Sequence, residues 1–392
     1  MDIRPIQIFT QNKKNVQQTQ QFQGQQTLKL AFSLYQKLAQ SQNLVFSPAS
    51  IYLALAMVAL GSKEKTLEEF KNLLNFNDIN LLAKTTADLL KILQKDEKGL
   101  KTQIANKMYS GLPELGAEYQ LIVSQNLGQA IEKVNFEFYF EQIRTQINEW
   151  VSFATEKKIK DLLPPGSLSQ STAMVLVNAI YFKGDWLKQF DKKKTQKLDF
   201  FLEYENAGSK IQTDIMAIEE YFDYYEDAGF QYIQIPYKGR QYSMEILLPR
   251  TSIQQFELQL SDQIFQKSRL NKFNKKLKLY LPKFKIQPEY VFDLESILKE
   301  LGIVNAFSFN ADFSFMDPSK KLILSNVYHK SMIEVNEDGA EAAAATASVM
   351  ILQCKQKDIQ VMCNKPFIYT ITHMPSQTIL FLGKVTDPSK IS

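Results

Sequence analysis

The sequence predicts a single α+β domain over residues 28–392, in which helices and large sheets are interleaved. No Pro-rich or Gly/Ser-rich linker divides the chain, and we find no internal repeat. Residues 171–182 form a continuous apolar run, which is typical of a strand covered on both faces. Residues 321–335 alternate in polarity, as a strand does when one face is buried. Residues 1–27 are polar and Gln-rich and are predicted to be a flexible tail.

The helices are predicted from their start signals and their apolar spacing. Ser47 can cap a helix that Pro48 begins, and Gly61 is suited to the C′ position just beyond the end of that helix. Thr66–Glu69 has the pattern of a capping box and predicts the start of the next helix. Apolar residues then recur at helical spacing over residues 143–154, which predicts an amphipathic helix.

Two hairpins are predicted in addition to the long strands. Residues 231–249 indicate one hairpin that turns at Lys238 and Gly239, and residues 372–385 indicate the other. In the alternating segment, one strand face carries Val327, His329, Ser331, Ile333 and Val335. The histidine on this apolar face is predicted to be a hydrogen-bonded core residue.

The composition argues against several functional classes. The 392 residues are 45% hydrophobic and 22% charged, which is ample for a large core. A net charge of +4 is too small to indicate a nucleic-acid partner, and we interpret the basic stretch 267–285 as a solvated strand face. We expect no membrane partner, because no apolar run reaches membrane-spanning length. No secretory signal is visible, and Cys354 and Cys363 do not form a disulfide framework, so a cytoplasmic location is expected.

The sequence offers little support for an enzyme. A Ser-His-Asp or Cys-His site would need His329 or His373, because the chain has 2 histidines. Neither has a patterned partner, and no glycine-rich phosphate loop or dinucleotide-binding motif is present. The histidines and cysteines also lack the spacing of a zinc site. We therefore expect no catalytic residue, no metal and no cofactor.

A tract of very small residues near the C-terminus is the most unusual feature of the chain. From Gly339 to Ser348 it reads GAEAAAATAS, directly after the alternating strand and a turn-like segment, 336–339. We predict a mobile loop that can become a strand, because alternate residues after Gly339 are small and uncharged. Those of one parity are Ala340, Ala342, Ala344, Thr346 and Ser348. The alternative interpretation is an exposed helix, since Ala is the best helix former.

Several short motifs occur in a specific order along the chain. The most specific is NAIYFKGDW at residues 178–186, and NEDGAEAAA at residues 336–344 is the most unusual. The other blocks lie at residues 46–51, 147–151, 158–163, 281–284, 311–314, 364–367 and 381–385. In this order they resemble the serpins, the serine-protease-inhibitor superfamily, and the NEDGAEAAA block is similar to the hinge of a serpin reactive loop. The resemblance extends from about residue 28 to Pro388.

The resemblance implies three β-sheets, eight or nine helices and an exposed reactive-centre loop at about residues 337–363. It also implies a monomeric inhibitor of endopeptidases, able to form loop–sheet polymers, that acts as a suicide substrate. The protease cleaves the loop, which then inserts into the main sheet with the acylated protease attached. The alternative is a non-inhibitory serpin that acts as a binding, storage or chaperone protein. Such members tend to carry charge or bulk at the hinge.

The resemblance also suggests where the bait bond lies. Counting from the hinge, as in typical serpins, places this bond between Gln353 and Cys354. Counting back from the C-terminal motif leaves the bond between Lys355 and Gln356 as the alternative, because that spacer varies in length. Leu352 before Gln353 suits a papain-like cysteine protease, whose main pocket accepts an apolar residue one place before the cut. Lys355 suits a trypsin-like serine protease, so both classes stay open, with a slight preference for the first.

Further residues match positions that control opening of the main sheet in serpins. Those matching the hydrogen-bond cluster beneath the sheet are Ser47, Ser50, Asn178 and His329. Those matching the upper region, where insertion begins, are Trp186, Glu337 and Lys283, and we predict an ion pair between the last two. The hinge itself is assigned to Glu337, Gly339, Ala340, Ala342 and Ala344. Ala340 departs from the family pattern, which usually has Thr or Ser there, but Ala is smaller and is still expected to insert.

Overall fold

The computed structural model describes residues 24–39, 42–94, 99–128, 131–203, 209–287, 291–319, 322–338 and 359–390. Most of the predicted reactive loop falls outside these ranges. Outside the described residues lie the hinge and bait predictions at Gly339, Ala340, Ala342, Ala344, Leu352, Gln353, Cys354, Lys355 and Gln356.

Nine α-helices occur in the described part of the chain. The first, α1, spans residues 24–38. The others are α2 (Pro48–Gly61), α3 (Glu64–Leu74), α4 (Ile79–Gln94), α5 (Ala117–Leu127), α6 (Phe136–Ala154), α7 (Ile253–Glu257), α8 (Asp262–Asn271) and α9 (Glu295–Glu300). Helix α1 includes Gln26 and Thr27, which are buried, so the folded unit extends four residues into the segment predicted as a tail.

The strands account for most of the remaining regular structure. In chain order they are β1 (Leu44–Phe46), β2 (Leu100–Ser110), β3 (Ile131–Lys133), β4 (Met174–Gly184), β5 (Gln196–Phe201), β6 (Lys210–Glu226), β7 (Phe230–Pro236), β8 (Tyr242–Pro249), β9 (Phe273–Pro282), β10 (Phe284–Ile286), β11 (Phe292–Asp293), β12 (Asn326–Val335), β13 (Ile359–Met362), β14 (Phe367–His373) and β15 (Thr378–Val385).

Among the described residues the strands form two hydrogen-bonded sheets, whereas the sequence resemblance implied three. One sheet, called the main sheet here, has the order β10-β12-β4-β2-β3, with β11 beside β12. The other strands follow the order β1-β15-β14-β8-β7-β6-β9-β13, with β5 beside β6. The 17-residue strand β6 pairs with β5 and β9 along most of its length and with β7 at its end. Strand β6 therefore joins the strands on either side of it into one nine-stranded sheet, which is why two sheets occur in place of the three implied.

The main sheet is covered on both faces around β4 and β12. All of β4 except Lys183 is buried, which confirms the prediction of a strand covered on both sides. Strand β12 differs from its prediction of a single buried face, because Tyr328 and Met332 on its second face are also buried. They pack in one cluster with Ile147 and Val151 of α6, so this helix covers the face that was expected to meet solvent.

Helix α2 has the predicted bounds, but the role predicted for Gly61 is wrong. Gly61 is the last helical residue, and Ser62, in an extended conformation, caps the helix. A glycine allows close packing instead, because a Cβ atom there would lie 2.9 Å from Cβ of Met316. The small residue at the end of α2 therefore makes room for a residue more than 250 positions away in the chain.

The predicted capping box at the start of α3 is also wrong. The helix begins at Glu64, so Thr66 lies within its first turn. The Thr66 hydroxyl accepts a hydrogen bond from the backbone N–H of Asp312 (2.9 Å). The Glu69 carboxylate accepts one from the backbone N–H of Val304 (2.9 Å). Both side chains accept hydrogen bonds from backbone N–H groups of a distant segment, and neither caps its own helix.

Both predicted hairpins are confirmed. Strands β7 and β8 pair antiparallel, and Gly239 and Arg240 in the turn have φ angles of +79° and +60°. Strands β14 and β15 pair antiparallel as well. Glycine adopts a positive φ without the steric penalty that other residues have, which is consistent with Gly239 in this turn.

Candidate functional site

The parallel pair β12–β4 lies at the centre of the main sheet. Its register runs from Asn326 opposite Val175 to Ile333 opposite Phe182. On either side, β10 pairs antiparallel with β12, and β2 pairs antiparallel with β4. A parallel ladder is slightly less stable per residue than an antiparallel one. This pair is therefore the place where an added antiparallel strand could replace one parallel ladder by two antiparallel ladders.

A buried hydrogen-bond cluster joins the two strands to the start of α2. The backbone N–H of Ser47 donates to Nε2 of His329 (3.0 Å), and Nδ1 of His329 pairs with Oδ1 of Asn178 (2.5 Å). Nδ2 of Asn178 donates to the carbonyl oxygen of Ser50 (2.9 Å). The Ser47 hydroxyl accepts from the N–H of Ser50 (3.1 Å), so Ser47 is the helix cap that the sequence predicted. The structure thus brings together all four residues predicted for this cluster, each with 0% exposure.

The protonation state of His329 follows from its partners. Because Nε2 accepts a backbone N–H, the ring proton lies on Nδ1 and is donated to Asn178. Burial lowers the pKa of His329 to about 3, so the ring is neutral near pH 7. The ring also stacks on Phe292, with centroids 6.4 Å apart. His329 is therefore a neutral bridge between β12, β4 and α2, as expected for a hydrogen-bonded core histidine.

Trp186 lies where the chain leaves β4 and contacts the segment after β12. Its ring stacks on Tyr237, with centroids 4.5 Å apart and planes inclined by 9°. Its Nε1–H donates to the carbonyl oxygen of Asn336 (2.8 Å). The tryptophan thus ties the segment that leads to the small-residue tract to the end of β4.

Glu337 is the second residue that holds this segment, and the predicted ion pair with Lys283 is confirmed. Nζ of Lys283 lies 3.2 Å from the Glu337 carboxylate, and the Thr195 hydroxyl donates to the same carboxylate (2.8 Å). The Phe190 N–H donates to the Glu337 carbonyl oxygen (3.1 Å). Burial disfavours the charge, but the hydrogen bonds from Thr195 and Lys283 outweigh it and lower the pKa of Glu337. The carboxylate is therefore ionised near pH 7.

Sequence reasoning missed two residues of this region. The Ser331 hydroxyl donates to the carbonyl oxygen of Val45 (3.0 Å) and so links β12 to β1. Ser331 shares the alternating strand face with His329, and a polar residue at that position was a usable signal. Thr195, which contacts Glu337, follows a run of lysines and had no signal in the sequence.

Helix α6 is clamped over the β12–β4 pair by Asn148. Its Nδ2 donates to the carbonyl oxygen of Leu163 (2.9 Å), and its Oδ1 accepts from the N–H of the same residue (2.7 Å). The amphipathic helix predicted over residues 143–154 is part of α6, whose apolar side packs on β4 and β12. Because α6 packs on side chains of both β12 and β4, a separation of these strands would disturb that packing.

The described ranges show neither a metal site nor a membrane-spanning helix, and their one free thiol is buried. No group of three or more His, Cys, Asp or Glu side chains is arranged there to hold a metal ion. None of the helices within these ranges combines the length and the apolar character needed to cross a bilayer. Cys363 is a free, buried thiol, and burial raises its pKa to about 12, which makes it a poor nucleophile.

A main sheet with a central parallel pair, a histidine cluster beneath it and a small-residue tract beyond its end defines the serpin class of fold. Residues 25–388 match the family model described as Serpin (serine protease inhibitor). The chain belongs to the serpin family.

The chain is similar to several curated serpins along nearly its whole length. It is 35% identical to Serpin B3 of Homo sapiens over 384 residues, which cover 92% of this chain and 98% of that protein. It is 36% identical to the leukocyte elastase inhibitor of Xenopus laevis over 375 residues, which cover 91% and 97%.

Two solved structures are also similar to this chain along nearly its whole length. Uncleaved ovalbumin matches with a TM-score of 0.84 and 26% identity, over 93% of this chain and 100% of that one. Human thyroxine-binding globulin matches with a TM-score of 0.83 and 27% identity, over 95% and 100%.

Proposed function

We propose that this protein inhibits endopeptidases as a suicide substrate, by inserting its cleaved reactive loop between β12 and β4. The topology of the main sheet is the observation that carries the proposal. Residues 339–358 follow β12 in the chain, so a strand that turns back from its end would run antiparallel to both β12 and β4. Insertion would thus replace one parallel ladder by two antiparallel ladders.

The small-residue tract fits this gap in length and in parity. Gly339–Ser348 has ten residues, and β12 also has 10. The inward parity carries only small, uncharged side chains, and no Pro from Gly339 to Lys365 would interrupt a ladder. Roughly ten new hydrogen bonds, at about 0.5–1.5 kcal/mol each, approach the stability of a whole domain.

The bait proposed for the protease is the bond between Gln353 and Cys354. It lies about fourteen residues beyond the hinge, so full insertion would carry a bound protease about 45 Å at about 3.3 Å per residue. Leu352 supports a papain-like cysteine protease, and the alternative bond after Lys355 supports a trypsin-like serine protease. Incubation with papain and with trypsin, followed by a search for SDS-stable complexes, separates the two classes. A trypsin complex cut after Lys355 contradicts the first assignment.

The proposed hinge is tested by Ala340→Arg. The variant is expected to fold and to be cleaved without trapping the protease, because insertion would have to bury an unpaired charge. We expect the number of inhibitor molecules used per trapped protease to rise at least about tenfold, since burying the charge costs more than ~1.4 kcal/mol. The measurement is a titration of protease activity together with the yield of SDS-stable complex.

Ala343→Arg is the matched control for this test. It makes the same substitution three residues further on, at a position of the opposite parity that would face away from the core. It is expected to leave the stoichiometry nearly unchanged. An unchanged stoichiometry in Ala340→Arg would overturn the insertion proposal.

A non-inhibitory serpin that binds, stores or protects other proteins is the second candidate. The observation on its side is Ala340, the departure from the family pattern at the hinge. The absence of charge and bulk in the rest of the tract supports the inhibitor instead. We further propose that the protein acts as a monomer on cytoplasmic proteases, which is in keeping with the free thiol of Cys363.

A further inference from the structure

A pocket of about 450 Å³ lies at the end of the main sheet that is remote from Glu337. The loop at residues 166–172, between α6 and β4, forms one wall. Asp293 of β11 and the start of β12 form the other. The volume lies within the range of about 300–1,000 Å³ that is usual for small-molecule sites.

Most of the residues that line this pocket carry a hydroxyl group, and we call it the hydroxyl pocket. Of its ten lining residues, six are of this kind: Ser167, Ser169, Ser171, Thr172, Ser325 and Tyr328. The aliphatic side chain among the ten, Leu168, is 3% exposed and packs in the cluster beneath α6. The pocket therefore offers hydrogen-bonding groups and little apolar surface.

Hydrogen bonds fix the wall that the loop forms. The Tyr328 hydroxyl donates to the carbonyl oxygen of Ser167 (3.1 Å). The Ser169 N–H donates to the Thr172 hydroxyl (2.9 Å), and the Thr172 N–H donates to the Ser169 carbonyl oxygen (3.1 Å). The loop is thus held in place before any ligand binds, which reduces the entropy cost of binding.

The Ser167 hydroxyl has no hydrogen-bond partner in the described part of the chain, although its oxygen is buried. Buried polar side chains are normally hydrogen-bonded, and a hydroxyl can both donate and accept. Because Ser167 lines the hydroxyl pocket, a ligand hydroxyl there would supply the missing partner.

The charge of the lining narrows the class of ligand. Among the described residues, no Lys or Arg lines the pocket, and Asp293 is its one charged residue, so an anion is disfavoured. The Asp293 carboxylate already accepts from Nδ2 of Asn326 (2.9 Å) and from the Glu295 N–H (3.1 Å). Within the described ranges, no second carboxylate lines the pocket to help hold a metal ion. A neutral molecule with several hydroxyl groups fits this lining best.

We infer that the hydroxyl pocket binds a small, free, neutral polyol. The Ser167 hydroxyl donates to one hydroxyl of the ligand and accepts from its neighbour. The Asp293 carboxylate, whose oxygens each keep a further lone pair, accepts from another ligand hydroxyl. Trp186 and Glu337 hold the segment at the opposite end of β12, so the pocket is distinct from the place where loop insertion is proposed to begin.

The test is a saturation-transfer NMR titration of the whole protein with myo-inositol, a neutral ring with a hydroxyl group on every carbon. We expect a saturable signal with half-saturation at about 1–10 mM. Ser167→Ala removes the unpaired hydroxyl and is expected to weaken binding at least about threefold. Ser171→Trp, at an exposed position of the lining, fills the pocket and is expected to abolish binding.

Two controls accompany the titration. Gln170→Trp adds the same bulk to the same loop at an exposed position outside the pocket, and its affinity for myo-inositol is expected to equal that of the unchanged protein. Cyclohexanol has the same ring size but a single hydroxyl, and it is expected to give no saturable signal.

No saturable signal from myo-inositol with the unchanged protein would overturn the inference. Full affinity in either Ser167→Ala or Ser171→Trp would do the same, because the probe would then bind elsewhere. Equal binding of cyclohexanol would also contradict it, since the hydroxyl groups would then not be recognised. These outcomes do not depend on protease inhibition.

Discussion

His329 links three elements of the fold through a single uncharged ring. It accepts from Ser47 at the start of α2 and donates to Asn178 on β4, while it lies on β12 itself. Burial places its pKa at about 3, below the value of about 6.5 expected in the unfolded chain. A histidine with a depressed pKa stabilises the fold fully above pH 6.5, and this contribution is lost as the pH falls from 6.5 towards 3.

The first prediction concerns His329→Gln. In the unchanged protein, this histidine should reduce the free energy of unfolding by about 2 kcal/mol between pH 7 and pH 5, because the unfolded chain gains a proton that the folded state excludes. The variant lacks this pH-dependent contribution. The difference in free energy of unfolding between the unchanged protein and the variant should therefore be about 2 kcal/mol smaller at pH 5 than at pH 7. Denaturant unfolding of both proteins at the two pH values measures the difference. A difference in free energy of unfolding that does not change with pH would contradict the conclusion that the His329 ring is buried and neutral.

The second prediction concerns Glu337→Gln. The lowered pKa of Glu337 means that its stabilising contribution is present above about pH 4.5 and is lost as the pH falls further. Glutamine keeps the shape but loses the charge that Thr195 and Lys283 contact, so unfolding should become about 1–2 kcal/mol easier at pH 7. Denaturant unfolding measures this difference in free energy of unfolding between the two proteins, and the difference should approach zero near pH 3.

Asp338→Asn is the control for Glu337→Gln. Asp338 pairs with Lys192, whose side chain is 66% exposed, and solvent screens such a pair. Its replacement should change the free energy of unfolding by less than about 0.5 kcal/mol. Equal effects in the two variants would argue that Glu337 holds the segment no more firmly than a surface ion pair does.

At the scale of secondary-structure elements, the close contact between β1 and β15 depends on Gly383. A Cβ atom at this position would lie 2.2 Å from the carbonyl oxygen of Leu44 and 2.7 Å from the Tyr369 hydroxyl. The obstruction includes backbone, which cannot rotate away as a flexible side chain could. Strand β1 also precedes Ser47, so a displaced β1 would disturb the histidine cluster.

The third prediction is therefore that Gly383→Ala destabilises the protein by about 1–3 kcal/mol, through overpacking. Chemical denaturation measures the loss. Gly229→Ala is the control, since the nearest atom to its added Cβ would be at an ordinary distance of 3.4 Å. If Gly383→Ala left the free energy of unfolding unchanged, β1 and β15 would be able to move apart without destabilising the protein.

Local sequence signals predicted some helices and strands correctly and others wrongly. The bounds of α2 followed from a cap and a proline, and the first hairpin followed from a turn glycine, all of which act within a few residues. The capping box at Thr66 failed because its hydroxyl and the Glu69 carboxylate bind a segment near residues 304–312. The second buried face of β12 was missed because α6, some 180 residues earlier in the chain, covers it.

At the scale of the whole molecule, the proposed function predicts that the intact protein is less stable than its cleaved form. Cleavage within residues 339–358 followed by insertion should add roughly ten hydrogen bonds and raise Tm by more than about 10 °C. Thermal denaturation before and after limited proteolysis measures this rise. Cleaved Ala340→Arg is the control and should show little increase. No rise in the unchanged protein would favour the non-inhibitory candidate.

The sequence by itself determined the α+β class, the well-capped helices and hairpins, and the ordered motifs that led to the serpin family. Periodicity, caps and short motifs are local properties of the chain, and they can be recognised without the fold. Through the family resemblance, it also indicated the four residues of the histidine cluster and the ion pair of Glu337.

Only the tertiary structure decided which strands form the parallel ladder, how α6 is clamped over it, and that Thr195 and Ser331 join the site. These features depend on contacts between segments that are 15 to more than 280 residues apart, such as Asn148 with Leu163 and Ser331 with Val45. Such contacts arise when distant apolar faces pack together, and no local pattern specifies which polar groups then meet or are left without a partner.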